Sequence, residues 1–353
     1  MKLFFSETQL QHRPQQFMVL GRIATPVENP DRLETLAGAL QKLGLDRTEP
    51  TDHGLGPIHA VHDAGFIDFL STGYAAWTSN VNAGPEILPN VHPYRGPGSP
   101  LAPDSTLPCT SIVGKAGWYV GDLACAIGPD TWNAVYASAQ AAISATTAVL
   151  EGAPAAFALC RPPGHHAYRD RASGFCFLNN AAIAAQMIAS RSRRVAIVDF
   201  DTHHGDGTQA IFYERADVLF ASLHTDPAVY YPFFSGYAHE KGRGAGLGTT
   251  LNIPLAPAST DDRFIAACRQ LVEAVVNHRC DVLVVSAGWD AHRNDPLSRL
   301  DVSTEAFAAV AEILASLALP TVIVQEGGYS LEASEAASTA FMRTFLGRHA
   351  VAR

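Results

Sequence analysis

The chain has 353 residues, 47% hydrophobic and 17% charged, a composition that excludes disordered and fibrous classes. A net charge of −9 with no basic stripe excludes a protein that grips nucleic-acid phosphates, and mildly favours cationic small molecules. No window approaches the roughly 20 apolar residues of a membrane span, and "MKLFFSETQL" lacks a leader's apolar core, so a soluble cytoplasmic chain is expected.

Residues 80–115 are dense in proline and glycine and carry no period, which predicts a long loop of the kind that is more often functional than idle. Beyond it, short apolar runs alternate with helical patterns. "AAFALC" (155–160), "VAIVDF" (195–200), "VLFASLH" (218–224), "DVLVVSAG" (281–288) and "PTVIVQEGG" (320–328) read as strands. "NNAAIAAQMIASRS", "DDRFIAACRQLVEAVVNHR" and "TEAFAAVAEILASLA" read as helices, the last two preceded by polar caps. Strands apolar throughout, alternating with helices, imply an α/β fold: a central, mostly parallel sheet covered on both faces. With no linker or repeat, one domain over 1–353 is expected. The six cysteines (Cys109, Cys125, Cys160, Cys176, Cys268 and Cys280) show no regular spacing and are expected as reduced thiols.

In such sheets ligands bind beyond the carboxyl ends of the strands, so the residues that follow each strand are the place to search. The first strand leads to His165 and His166, the second to Asp199, Asp201 and His203, the third to His224, the fourth to Asp290 and the fifth to Tyr329. Each has a bland explanation alone, as a turn, cap or surface residue. Five polar strand ends out of five do not. Asp201 and His203, two apart in an extended segment, face the same way, and Asp290 completes an oxygen-and-nitrogen set. Three protein ligands with an open position suit a catalytic zinc ion, and Fe²⁺ tolerates a similar shell. His165 and His166 suit proton transfer, Asp199 and Asp206 suit orienting them, and Tyr329 suits hydrogen bonding to a developing oxyanion. Together these suit metal-assisted amide hydrolysis.

The motifs "RPPGHHA", "GFCFLNNAAIAA", "VDFDTHHGDGTQ", "ASLH", "SAGWDAHRNDPL" and "EGGY" resemble the zinc-dependent histone deacetylase and acetylpolyamine amidohydrolase superfamily. "AIGPDTWNAVYASA" (126–139) looks most like its bacterial acetylpolyamine branch. The resemblance implies the arginase-deacetylase fold, with Asp201, His203 and Asp290 as zinc ligands. His166 is then the general base and later acid, with His165 as its electrostatic partner. Asp199 and Asp206 stand behind His165 and His166, and Tyr329 polarises the scissile carbonyl. Gly174, Phe175 and Tyr231 line a narrow acyl-lysine-type tunnel. A potassium site is implied at Asp199, Asp201, His203, Ser222 and Leu223. Loop 80–115 has a counterpart in the bacterial branch, where such loops help form dimers, so a homodimer or a dimer of dimers is expected.

The implied substrate is a small acylated amine such as an acetylpolyamine; acetyl-lysine peptides and other small N-acyl amides are the alternatives. Two departures bear on this choice. Val113 and Ala124 fall where acetylpolyamine amidohydrolases carry acids at the tunnel mouth, with Asp122 near the second position. Tyr231 replaces the usual phenylalanine. A binuclear manganese ureohydrolase would need a second carboxylate where Asp290 is followed by Ala291 and His292. A non-catalytic binder of acylated amines would be expected to have lost the tyrosine or a ligand, and neither is lost.

Overall fold

In the computed structural model, alternate residues of one strand serve two different cores. Val282 and Val284 pack into one apolar cluster, while Leu283 and Val285 pack into another on the opposite face. Ala196 and Val198 against Val195 and Ile197 repeat the pattern, as do Ile323 against Val322 and Val324. This two-sided burial is why the central strands read as unbroken apolar runs. The structure describes all residues except 98, 100, 102–105, 192, 352 and 353.

The strands are β1 (Lys2–Phe4), β2 (Phe17–Val19), β3 (Arg22–Ala24), β4 (Asp46–Thr48), β5 (Ala155–Ala158), β6 (Val195–Asp199), β7 (Val218–Thr225), β8 (Thr250–Leu255), β9 (Val282–Ala287) and β10 (Thr321–Gln325). The helices are α1 (Asp31–Lys42), α2 (Gly56–His59), α3 (Ala64–Thr78), α4 (Ile112–Tyr119), α5 (Thr131–Leu150), α6 (Asn180–Ala189), α7 (Asp206–Phe212), α8 (Asp261–Asn277), α9 (Thr304–Ala315) and α10 (Leu331–Val351). Eight strands form one sheet in the order β4-β1-β5-β10-β9-β6-β7-β8, and every pairing is parallel. β2 and β3 form a separate antiparallel hairpin. Helices α3, α5 and α6 cover one face; α1, α8, α9 and α10 cover the other.

The sheet is therefore wholly parallel, and the five strands expected from sequence are its central strands with their immediate neighbours. Thr260 and Ser303, the polar residues before α8 and α9, make no side-chain cap. Ser303 instead donates its N–H and hydroxyl to the Asp261 carboxylate, at 2.7 and 2.6 Å, which joins the two helix starts. The expected loop 80–115 is shorter at its end, because α4 begins at Ile112; part of it (98, 100, 102–105) lies outside the described residues. All six cysteines are unbridged. Among the described residues, no helix is long and apolar enough to cross a membrane.

Candidate active site

β5, β10, β9, β6 and β7 are consecutive neighbours, so their carboxyl ends bring the polar residues foreseen from sequence to one edge. Asp201 and His203 lie on the turn between β6 and α7, and Asp290 on the turn after β9, the strand paired with β6. His203 Nδ1 lies 3.0 Å from Asp201 Oδ1 and 3.1 Å from Asp290 Oδ2. One donor atom from each residue falls within 4.8 Å of the others, and all three residues are buried. Two buried carboxylates this close repel unless a cation stands between them. Burial and then the Asp201 charge push Asp290 up to about 7. Asp290 Oδ2 has no well-aligned hydrogen bond, although Oδ1 accepts from Thr202 N–H at 3.0 Å. The missing side chain of Gly327 is what gives this oxygen room, since a Cβ there would stand 2.2 Å from it. The donor types, the unpartnered oxygen and the burial fit a divalent metal of the zinc or iron class.

Beside this cluster the His165 and His166 rings lie tilted to each other with centroids 4.1 Å apart. His165 Nδ1 is 3.0 Å from Asp199 Oδ2, and His166 Nδ1 is 2.7 Å from Asp206 Oδ1. These bonds place a proton on each Nδ1 and turn each Nε2 away from its carboxylate. The environments then separate the two. Burial opposes charge on His165, but Asp201 and Asp199 outweigh it and raise it to about 10. His166 is driven well below its ordinary value by burial, then by His165 and His203. A neutral imidazole with a free Nε2 is thus held next to a charged one, which is the protonation state a general base requires. Asp206 is pushed up to about 7, mainly by burial, and its Oδ2 accepts the Tyr168 hydroxyl at 2.7 Å.

Tyr329 follows β10. Its backbone N–H and that of Ser330 donate to Asp295 Oδ2 at 2.6 and 2.8 Å. The Arg32 guanidinium lies 4.6 Å from the Tyr329 ring centroid and donates to the carbonyls of Glu326, at 2.8 Å, and Gly328. Arg32 is itself buried in an ion cluster, sharing Glu28 Oε1 with Arg161. Burial raises the Tyr329 phenol well above 10, so it keeps the proton it would donate.

Half-buried aromatic side chains surround the approach. Phe175 meets Tyr329 at 5.8 Å and Phe17 of the hairpin at 5.6 Å, while Tyr231 stands edge-on to His166 at 5.0 Å. Gly174 has φ +54° and must be glycine, because a Cβ would reach within 2.4 Å of the His166 ring. Of the potassium positions, Asp199 and Ser222 are register partners on β6 and β7. Leu223 is the next residue on β7, and the Ser222 hydroxyl contacts His224 Nδ1 at 2.8 Å.

The residues expected from sequence to be catalytic, metal-holding or tunnel-lining therefore lie together at this edge. Asp122 is not a free acid at the mouth: Oδ1 accepts Ala124 N–H, and Oδ2 accepts three donors from the tunnel wall. Sequence reasoning did not single out Glu326, Arg32, Asp295 or Tyr230. Glu326, the first residue of "EGGY", accepts the N–H groups of Gly164 and His165 at 2.7 and 3.1 Å and so fixes the histidine loop. Tyr230 stacks on His203 at 5.2 Å. Glu326 had a signal, since it directly follows a strand; the others act through backbone atoms or ring faces and had none.

The histone deacetylase domain model matches residues 26–345. The chain is 41% identical over 346 residues to an acetylpolyamine amidohydrolase of Burkholderia pseudomallei, covering 98% of each. It is 42% identical over 331 residues to acetylpolyamine amidohydrolase 1 of Pseudomonas aeruginosa, covering 93% of this chain and 94% of the relative. A crystal structure of acetylpolyamine aminohydrolase from Burkholderia pseudomallei superposes with a TM-score of 0.93 at 41% identity, over 98% of both chains.

Proposed function

The chain belongs to the histone deacetylase domain family and is an amidohydrolase, and on that premise we propose that it removes the acetyl group from small acylated amines of the acetylpolyamine type. The substrate class is supported by the names of relatives that match it almost end to end. The observation that carries the chemistry is the His165–His166 pair, each bonded through Nδ1 to its own carboxylate, beside the Asp201–His203–Asp290 cluster.

Asp201, His203 and Asp290 would hold the metal, zinc in this reading and Fe²⁺ as the alternative. When bound there it supplies a Lewis acid for the amide carbonyl and a lowered pKa for water. His166 Nε2 takes the proton from the attacking water and later gives it to the departing amine. His165, carrying its charge beside Asp199, stabilises the developing negative charge, and Asp206 holds His166 in the required tautomer. Tyr329 Oη donates to the carbonyl oxygen as it becomes an oxyanion, a contact worth about 10²–10³ in rate. Gly174, Phe175 and Tyr231 guide the acyl-amine chain and exclude water. Potassium is assigned to Asp199, Asp201, His203, Ser222 and Leu223. A single domain, a cytoplasmic location and a homodimer or homotetramer complete the proposal.

The second reading is an acetyl-lysine peptide. It is favoured by Val113 and Ala124 standing where the resemblance places acids and by an Asp122 whose oxygens are already taken. The test is kcat/KM on zinc-loaded protein for acetylputrescine, acetylcadaverine, acetylspermidine and an acetyl-lysine peptide. Preference for the acetylated amines supports the proposal, and preference for the peptide replaces it. Weak activity on all four would move the search to other small N-acyl amides.

A further inference from the structure

Asp122 lies between α4 and α5, and its two oxygens do different things. Oδ1 accepts the N–H of Ala124 at 3.0 Å, which closes a turn in its own segment. Oδ2 accepts the Gly174 N–H at 2.9 Å, the Ser173 hydroxyl at 2.9 Å and the Tyr231 hydroxyl at 2.8 Å. The two hydroxyls lie 2.8 Å from each other. One carboxylate oxygen thus joins three segments of the chain, two of which carry walls of the tunnel.

Both walls need such a hold. Gly174 and Phe175 have φ of +54° and +66°, and a bulky residue such as Phe175 rarely adopts the left-handed region unless its surroundings enforce it. The backbone bonds between Ser173 and Cys176, at 3.0 and 2.8 Å, close this turn from behind, and Asp122 holds its leading amide. Tyr231 carries a hydroxyl that would make the wall polar if it turned inward. Asp122 ties that hydroxyl down, with the Tyr231 ring perpendicular to the His166 ring at 5.0 Å. The replacement of phenylalanine by tyrosine is then a gain of attachment rather than of polarity.

We propose that Asp122 is the positioning residue that fixes the Gly174–Phe175 wall relative to Tyr231, and so sets how thick a chain can reach His166. This rests on the tunnel assignment made under the proposed function. The alternative, that Asp122 attracts the ammonium group of the substrate, makes a different prediction.

The experiment compares wild type, Asp122→Asn, Tyr231→Phe and the double variant, all zinc-loaded. Substrates are acetylputrescine, N-butylacetamide as its uncharged analogue of equal girth, and isobutyrylputrescine, whose branched acyl group is thicker. The clamp predicts that Asp122→Asn lowers kcat/KM at least 10-fold on both acetyl substrates alike. It also predicts a several-fold loss of preference for acetyl over isobutyryl, and that Tyr231→Phe adds little in the Asp122→Asn background. Unchanged selectivity, independent effects of the two substitutions, or a loss confined to the charged substrate as a rise in KM would each overturn it. Tyr231→Phe removes one hydroxyl and guards against an Asp122→Asn chain that misfolds. Calorimetric binding of slender and branched alkyl hydroxamates reads tunnel width without turnover. A wild type that binds hydroxamate yet hydrolyses nothing would therefore strike the proposed function while still testing the clamp.

Discussion

Lowering the pH from 7 to 5 should cost the folded chain about 2 kcal/mol through His62 alone. His62 is buried, and its Nε2 accepts the backbone N–H of Asn179 at 2.9 Å, while Nδ1 lies 3.3 Å from the Arg169 carbonyl oxygen. Only the neutral ring with its proton on Nδ1 satisfies both contacts, since a proton on Nε2 would face the Asn179 N–H. Burial accordingly lowers His62 from 6.5 to about 4. The sign follows directly. Above 6.5 neither the folded nor the unfolded chain protonates this ring, and its contribution to stability is fully present. Between 6.5 and about 4 the unfolded chain takes up a proton that the folded chain refuses, so stability falls with pH. The assay is urea denaturation of wild type and His62→Gln at pH 7 and pH 5, at equal zinc. Glutamine keeps an acceptor for Asn179 but cannot titrate. His12 and His224, also lowered to about 4, and Glu326, raised to about 7, are common to both proteins and cancel in the difference. The stability gap between the two proteins should move by about 2 kcal/mol in favour of the variant at pH 5. A gap that stays constant would refute the assignment of His62 as a buried neutral acceptor.

Three other outcomes are expected. His166→Ala and Tyr329→Phe should each retain zinc, measured by metal analysis, while turnover falls by about 10²-fold or more. Asp290→Ala should instead lose the metal on dialysis, because two donors remain of three. Asp295→Asn should lower kcat by loosening the backbone of Tyr329 and Ser330, and it should add little further loss in a Tyr329→Phe background; equal losses in both backgrounds would show that Asp295 acts elsewhere.

The legibility of this fold from sequence follows burial. β5, β6, β7, β9 and β10 are flanked on both faces, so most of their residues are apolar and the runs stand out. β4 is an edge strand of three residues reading Asp-Arg-Thr, and β8, the other edge, contains Asn252 and Pro254; neither forms an apolar run. The Ala-rich α5 is buried all round from Ser138 to Thr146, which erases the stripe that marks a surface helix. In the site, residues carried directly on strand ends were legible. Arg32 and Asp295 were not, because they grip carbonyls and amides of the Tyr329 segment rather than presenting a group to the substrate. The bond from Tyr231 to Asp122 spans 109 positions, and no local pattern encodes a contact of that range.

The strand order has a consequence for the history of each molecule. β6 delivers Asp201 and His203, and its neighbour in the sheet that delivers Asp290 is β9, although β7, β8 and α8 are synthesised between them. A chain growing from its amino end therefore holds two of the three proposed metal ligands long before the third exists. It also lacks β10, which inserts between β5 and β9 and carries the Gly327 amide that donates to Asp201 Oδ2 at 2.8 Å. Metal capture must then wait for nearly the whole chain, and a nascent or truncated molecule ending before β10 would present ligands without a seat. Metal loading at the proposed ligands would then report that the chain has folded as far as β10.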